Sequence, residues 1–369
     1  MGLQRKSLGE SSMNGYTRWR TMAALMLGAV SVGVGPAAGQ VQVKSRAMEI
    51  TLTGRVHAQS DHTSVAGERS IDFLMRRVRF TADVKVNDLV SGRIQPDYGE
   101  GKLALKDAYV RLNFSPYVRA TVGQFKRPFD LFELTSSTEI LVIERAGGVR
   151  GIDACAGPGG TCSFSRLTEK LQYSDRDIGL EVSGTAGPFG YAASVTNGTG
   201  ANVSDENGPK SYSGRLTVSP LTGLRFGANV ALHDYLNGGG GTETAAAFGG
   251  DVEYGNYSQG LHAQVGFAAG DNWRNLAPGE PSTFVTTQGI LTHKIPVAGN
   301  PFVSAVEPVG RVSYADPNTD AGGDHGWLFT PGIVVYFTGR NKIAANLDVW
   351  SPATGATEYS VKLQTYLHF

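Results

Sequence analysis

The last eleven residues, Tyr359-Ser-Val-Lys-Leu-Gln-Thr-Tyr-Leu-His-Phe369, alternate to the end of the chain. Tyr359, Val361, Leu363, Thr365, Leu367 and Phe369 fall on one face and the more polar residues on the other. A helix would scatter these two sets around its axis, whereas an extended strand separates them cleanly. The pattern recurs through the chain. Ile50, Leu52 and Val56 oppose Glu49, Thr51, Arg55 and His57. Val78, Phe80, Ala82, Val84 and Val86 oppose Arg77, Arg79, Thr81, Asp83 and Lys85. Segments 107–114 and 224–233 repeat it, and about sixteen such stretches fill residues 47–369. So many two-faced strands need a closed all-β architecture.

The connectors decide between a soluble sandwich and a membrane barrel. Short turns are expected at Asn87-Asp88, Ser115-Pro116, Gly187-Pro188, Ser219-Pro220 and Thr338–Asn341. Long loops are expected at 126–171, 198–210, 236–243, 270–282 and 316–325. Short turns at one end and long loops at the other are the signature of a transmembrane antiparallel β-barrel, whose apolar faces point at lipid and polar faces at the lumen. An even strand number leaves both chain ends on the side of the short turns. Tyr109, Tyr173, Tyr191, Tyr254, Tyr336 and Trp350 lie near strand ends, where aromatic girdles are expected. The terminal Phe369 resembles the assembly signal read on bacterial outer-membrane barrels, which implies the barrel-assembly machinery as a partner during insertion.

Composition agrees. Charged residues make up 18%, there are 49 Gly, and the mean hydropathy of −0.16 is too low for a bundle of apolar helices. Arg18 and Arg20 precede a short apolar stretch, Met22 to Val34, and then Pro36-Ala37-Ala38-Gly39. Residues 1–39 therefore read as a signal peptide, with an N-terminal extension, ahead of a barrel domain at 40–369. Removing 1–39, with Arg5, Lys6, Arg18, Arg20 and Glu10, leaves 29 basic and 32 acidic residues. Such a balance gives no footprint for nucleic acid. In an exported chain, Cys155 and Cys162, with six residues between them in a Gly- and Pro-rich stretch, read as a disulfide.

A specific likeness appears at residues 105–145. Leu105-Lys-Asp-Ala-Tyr109 is followed by Gly123-Gln-Phe-Lys-Arg-Pro-Phe129, Thr135-Ser-Ser-Thr138 and Glu144-Arg145. This resembles the phosphate-selective porin O and P family. Arg76-Arg77, Arg176-Asp-Ile-Gly179, Asn197-Gly198, Glu307 with Arg311, and the final strand extend the likeness over nearly all of the exported part. The resemblance implies a sixteen-stranded trimeric barrel set in outer-membrane lipid and lipopolysaccharide, with one loop folded inward to constrict a water-filled pore. That loop would be 126–171, with Lys126, Arg127 and Arg145 as the leading constriction and anion-binding candidates. Arg77, Arg79 and Arg111 join them from the wall by strand parity. The implied solutes are small anions or phosphate, for which the guanidinium fork is well suited. The sequence departs from the family's reputed dense arginine ladder, since its basic residues are scattered and Asp130, Glu133, Glu139, Glu144, Asp153 and Glu169 share the loop.

Two other readings remain. A membrane-embedded hydrolase would need a Ser–His pair such as Ser194 or Ser213 with His233, and an adhesion barrel would have a plugged lumen. No His-x-x-x-His, Cys-x-x-Cys or Gly-x-Ser-x-Gly motif points to a metal, cofactor or nucleophile. Arg76 breaks the pattern: strict alternation aims it at lipid, which at mid-bilayer costs roughly 2–4 kcal/mol. A register shift, an interfacial depth or a subunit contact would each relieve it.

Overall fold

The computed structural model describes residues 41–44, 48–65, 67–145, 163–205, 207–274, 282–337 and 340–369. Among them run β1 (Val41–Lys44), β2 (Glu49–Val65), β3 (Glu68–Lys85), β4 (Val90–Asp97), β5 (Ala104–Ser115), β6 (Val118–Lys126), β7 (Arg176–Ala186), β8 (Phe189–Thr196) and β9 (Ser211–Leu221). They continue with β10 (Leu224–Leu236), β11 (Thr242–Tyr254), β12 (Gly260–Asp271), β13 (Thr283–Pro296), β14 (Ala305–Asp316), β15 (Gly326–Tyr336), β16 (Lys342–Pro352) and β17 (Glu358–His368). Strands β2 to β17 each pair antiparallel with the next, and β17 returns to β2 through Tyr359↔Ser64 to His368↔Arg55. The result is a closed sixteen-stranded barrel with no unpaired seam.

Which face points inward follows from exposure. On β17, Tyr359, Val361, Leu363 and Leu367 are each about half exposed, while Glu358, Ser360, Lys362, Gln364 and Tyr366 are buried. The apolar set faces out and the polar set in, the reverse of a soluble protein. The closing strand ends on a fitted contact. Phe369 N–H donates to Gly54 O at 3.0 Å, and Gly54 N–H returns a bond to Phe369 O at 2.5 Å. Just beyond, β1 takes over the same edge of β2, pairing Val41↔Leu52 through Lys44↔Glu49.

Several sequence expectations need correcting. Ser219 and Pro220 lie inside β9, and the chain turns at Thr222-Gly223 instead, where Gly223 has φ +80°. Tyr173, Tyr336 and Trp350 are buried and Tyr109 faces the lumen, so these four do not belong to a girdle. Outward aromatic rings are supplied by residues such as Phe80, Phe114, Phe189, Tyr254, Trp327 and Phe369. The leader 1–39 and both cysteines, Cys155 and Cys162, lie outside the described residues.

Candidate functional site

The connector between β6 and β7 carries two helical turns, α1 (Leu131–Leu134) and α2 (Phe164–Lys170). Its apolar residues Phe129, Phe132, Leu141, Phe164, Leu167 and Leu171 do not face water. They pack with Ala231, Ala245, Ala268, Phe284, Ile290 and Val309, which lie on the inward face of β10–β14. Phe132 lies over Gly266, where any Cβ would meet its ring at 2.6 Å. Phe164 N–H donates to Ser313 Oγ at 2.9 Å. Small wall residues thus make room for large loop residues, a local reason for Ala and Gly on an otherwise polar face.

Polar groups fix the far end of the first loop segment. Glu144 receives Arg76 Nε at 2.5 Å and Nη2 at 3.0 Å, with Arg77 at 3.7 Å. Arg311 Nη1 donates to the backbone oxygens of Glu144 and Arg145, at 2.8 and 3.2 Å, and its Nη2 reaches Asp348 at 3.0 Å. Lys362 completes the group on Asp348 at 2.8 Å, and Ile143 N–H donates to Asn346 Oδ1 at 2.7 Å. Residues 143–145 are therefore tied to β3, β14 and β16 together. Burial opposes charge on Glu144, but Arg76 and Arg77 hold its carboxyl down at about 2.

The placement of Arg76 resolves its anomaly. The β2–β3 register runs His57↔Arg77 and then Ala58↔Met75, leaving Arg76 as the extra residue of a β-bulge. Both arginines consequently reach Glu144. A second irregularity separates Ile94↔Ala108 from Pro96↔Leu105 and turns Lys106 and Asp107 to the same inner face. Asp107 receives Arg176 Nε at 2.6 Å.

The expected site residues separate into distinct environments. Lys126 donates to the backbone oxygens of Glu133 and, at 3.2 Å, Thr135. Arg145 donates to Phe132 O at 2.5 Å and Thr135 O at 2.6 Å, and pairs with Glu133 at 3.1 Å. These two cations meet on the same loop turn. Arg79 bonds Asp97 at 2.6 Å and Ser137 Oγ at 3.1 Å, and Arg55 reaches the same Ser137 at 2.6 Å. The Thr135-Ser-Ser run is thus the contact between loop and wall arginines. Arg127 stands apart, buried against Ser174 O at 2.9 Å and Asp177 at 3.8 Å. Arg77 is buried on Glu144. Arg111 lies nearer the short turns, its Cζ over the Tyr109 ring at 4.8 Å from the centroid and its Nε bonded to Thr121 at 3.0 Å. It lines a cavity of about 420 Å³ with Asp83, Arg93 and Asn113.

Between the loop and β3–β7, Arg55, Arg79, Arg93, Lys106, Lys126, Arg145, Arg166 and Arg176 lie within electrostatic reach of Asp83, Asp97, Asp107, Glu133, Glu169 and Asp175. Of these, Arg55 was read in the sequence as lumen-facing by strand parity, Arg176 entered only through the likeness, and Lys106 carried no assigned role. A parity reading misses Lys106, because only the bulge brings it inward. Arg311 stood out in the sequence only as part of the likeness. His233 pairs with Ser211 at 3.1 Å rather than with Ser194 or Ser213.

The family model of the phosphate-selective porins O and P matches residues 50–259, more than half of the chain. The chain belongs to the phosphate-selective porin O and P family. Among curated proteins none matches at a significant level. Solved structures of similar fold include the outer-membrane channel DcaP of Acinetobacter baumannii, at 13% identity and TM-score 0.61, covering 90% of this chain and 100% of that one. The anion-selective porin from Comamonas acidovorans is likewise 13% identical with TM-score 0.61, covering 87% and 100%. The trimer form of Vibrio cholerae OmpT gives 11% identity and TM-score 0.53, covering 88% and 100%. This porin is thus a Gram-negative-type outer-membrane β-barrel that forms a channel for passive diffusion of small solutes.

Proposed function

We propose that loop 126–171 constricts the pore and that the passage beside β3–β7 favours small anions, phosphate among them. The supporting observation is the charge balance of that passage: among the described residues, the eight cations named above outnumber the six carboxylates. Fixed charges at a narrow point between low-dielectric walls act more strongly than on an open surface. Lys126, Arg145 and Arg79 are the leading anion-contacting residues, with Arg111 a later station toward the short turns. Arg77 and Arg127 serve by position, holding Glu144 and Asp177. Export through a signal peptide at 1–39, a Cys155–Cys162 disulfide, and a homotrimer embedded in lipid and lipopolysaccharide complete the reading. The trimer has support from the Vibrio cholerae neighbour, whose solved structure is of a trimer form.

The test is single-channel recording of the purified exported protein in a planar bilayer under a KCl gradient, with phosphate titrated in. Chloride-favouring reversal potentials, with conductance reduced by phosphate, are expected. Lys126→Gln with Arg145→Gln should shift the reversal potential toward zero. Cation-favouring potentials in the unmodified channel would sink the anion reading while leaving the porin intact.

A further inference from the structure

Helix α2 is asymmetric. Phe164, Leu167 and the following Leu171 are buried on the wall, while Arg166 and Glu169 lie on its open side with 26% and 36% of their side chains exposed. Glu169 sits 3.8 Å from Arg166, a loose pair one turn apart. The other charged groups bearing on it come from separate parts of the chain. They are Asp175 ahead of β7, Glu133 of α1 and Arg145 of the clamped segment, and Lys170 is its neighbour on α2. Glu133 differs, being taken up by Lys126 and Arg145. Asp107 and Asp97 are likewise held in short pairs by Arg176 and Arg79. Glu169 thus combines a partly exposed side chain, a 3.8 Å pair with Arg166 and two nearby carboxylates.

Resting on the anion reading above, we propose that Glu169 sets the degree of the pore's anion selectivity, its charge opposing anion entry when ionised and releasing that opposition when protonated. In a passage whose cations exceed its carboxylates by only two among the described residues, one carboxylate matters. Asp97 and Asp107 are each offset by a cation in a short pair, and Glu133 by two, Lys126 and Arg145, which leaves positive charge at that turn. Glu169 has the looser pair with Arg166, and its charge is felt directly by a passing ion. Burial, then Asp175 and Glu133, raise its carboxyl to about 7. Its charge in the folded porin therefore changes around pH 7, with the neutral form on the acid side. Selectivity for anions should be greater at acid pH.

The experiment measures chloride-to-potassium permeability ratios of the intact porin at pH 5.5 and pH 8.5. The wild type should be about twofold more anion-selective at pH 5.5, the scale of one unit charge roughly 10 Å from the ion's path, acting oppositely on anion and cation and screened by about 0.1 M salt. Glu169→Gln should hold the acid value at both pH values, and Glu169→Asp should restore a pH response. Asp130→Asn serves as the control. Asp130 is buried between α1 and Thr168, and burial with Glu133 nearby pushes it up to about 7 as well, but it does not face the passage. A pH response that survives in Glu169→Gln, or one abolished by Asp130→Asn alone, overturns the assignment. An anion-selective wild type whose ratio ignores both pH and the Glu169 variants overturns it too, while sparing the anion reading. Wild type and Glu169→Gln both without anion preference would overturn that reading itself.

Discussion

Gly54 shows how one residue can govern closure of a whole barrel. It exchanges both backbone bonds with Phe369, and a Cβ there would stand 2.3 Å from the Phe369 ring. The ring also meets Phe80 edge-on at 6.3 Å, so the terminal aromatic fills the outer surface across the seam. Gly54→Val should force the ring aside and cost roughly 1–3 kcal/mol, the usual scale of overpacking. The folded band on unheated gels should then convert to the unfolded one at lower temperature. Gly310→Val on β14, where a Cβ meets nothing within 4 Å, should leave that temperature nearly unchanged. The importance of Phe369 was legible in the sequence as a terminal aromatic on an alternating strand. Its partner was not, because a glycine opposite it leaves no mark in a hydrophobic pattern. Arg76 was legible only as a conflict: alternation forbade its position, and a bulge, which periodicity cannot locate, removed the conflict.

At the scale of elements, the loop is held by the chemistry of its two ends and by an apolar middle. Strands, their faces and most turns followed from period two, because each strand has one wet and one dry side. Inward packing of the loop left a weaker trace, since Phe129, Phe132 and Phe164 read the same in any buried connector, and the wall's answering Ala residues look merely small. The clamp at Glu144 is the point of greatest consequence. Removing one partner of a buried ion pair typically costs about 3–5 kcal/mol, because the other is left uncompensated. Glu144→Gln should therefore free residues 143–145 from Arg76 and Arg77, raise single-channel conductance and increase current noise, with the barrel itself still folded. The sign of its pH dependence is fixed. Its folded value lies below the ordinary 4.5, so its stabilisation is complete above 4.5 and is lost as pH falls toward about 2. Hydrogen exchange of loop amides in the wild type should accelerate over that acid window relative to amides of β12–β14, and Glu144→Gln should abolish the difference. Equal protection of loop and wall at every pH would count against the clamp.

On the scale of the whole molecule, the fold turns its polar surface inward, and that surface is nearly balanced in charge. Paired groups such as Arg93 with Asp83 at 2.7 Å, Arg176 with Asp107, and Arg215 with Asp251 neutralise one another along the wall. The family's name suggests a strongly basic channel, whereas on the reading proposed above selectivity comes from a small excess of cations around the loop. A small excess is easily screened. Mobile salt shortens the reach of a fixed charge from about 10 Å at 0.1 M to about 3 Å at 1 M. An ion in the passage would then feel only the side chains it nearly touches. The chloride preference measured across a tenfold KCl gradient should accordingly be clear when both solutions are below about 0.2 M and should fade toward free-solution behaviour above about 1 M. A pore that selected by tight coordination, with desolvated anions held by forked arginines, would keep its preference at high salt. Reversal potentials recorded at the two ionic strengths separate these cases, and an unchanged preference at high salt would transfer the weight of selectivity from the balance of the passage to direct contacts at Lys126 and Arg145.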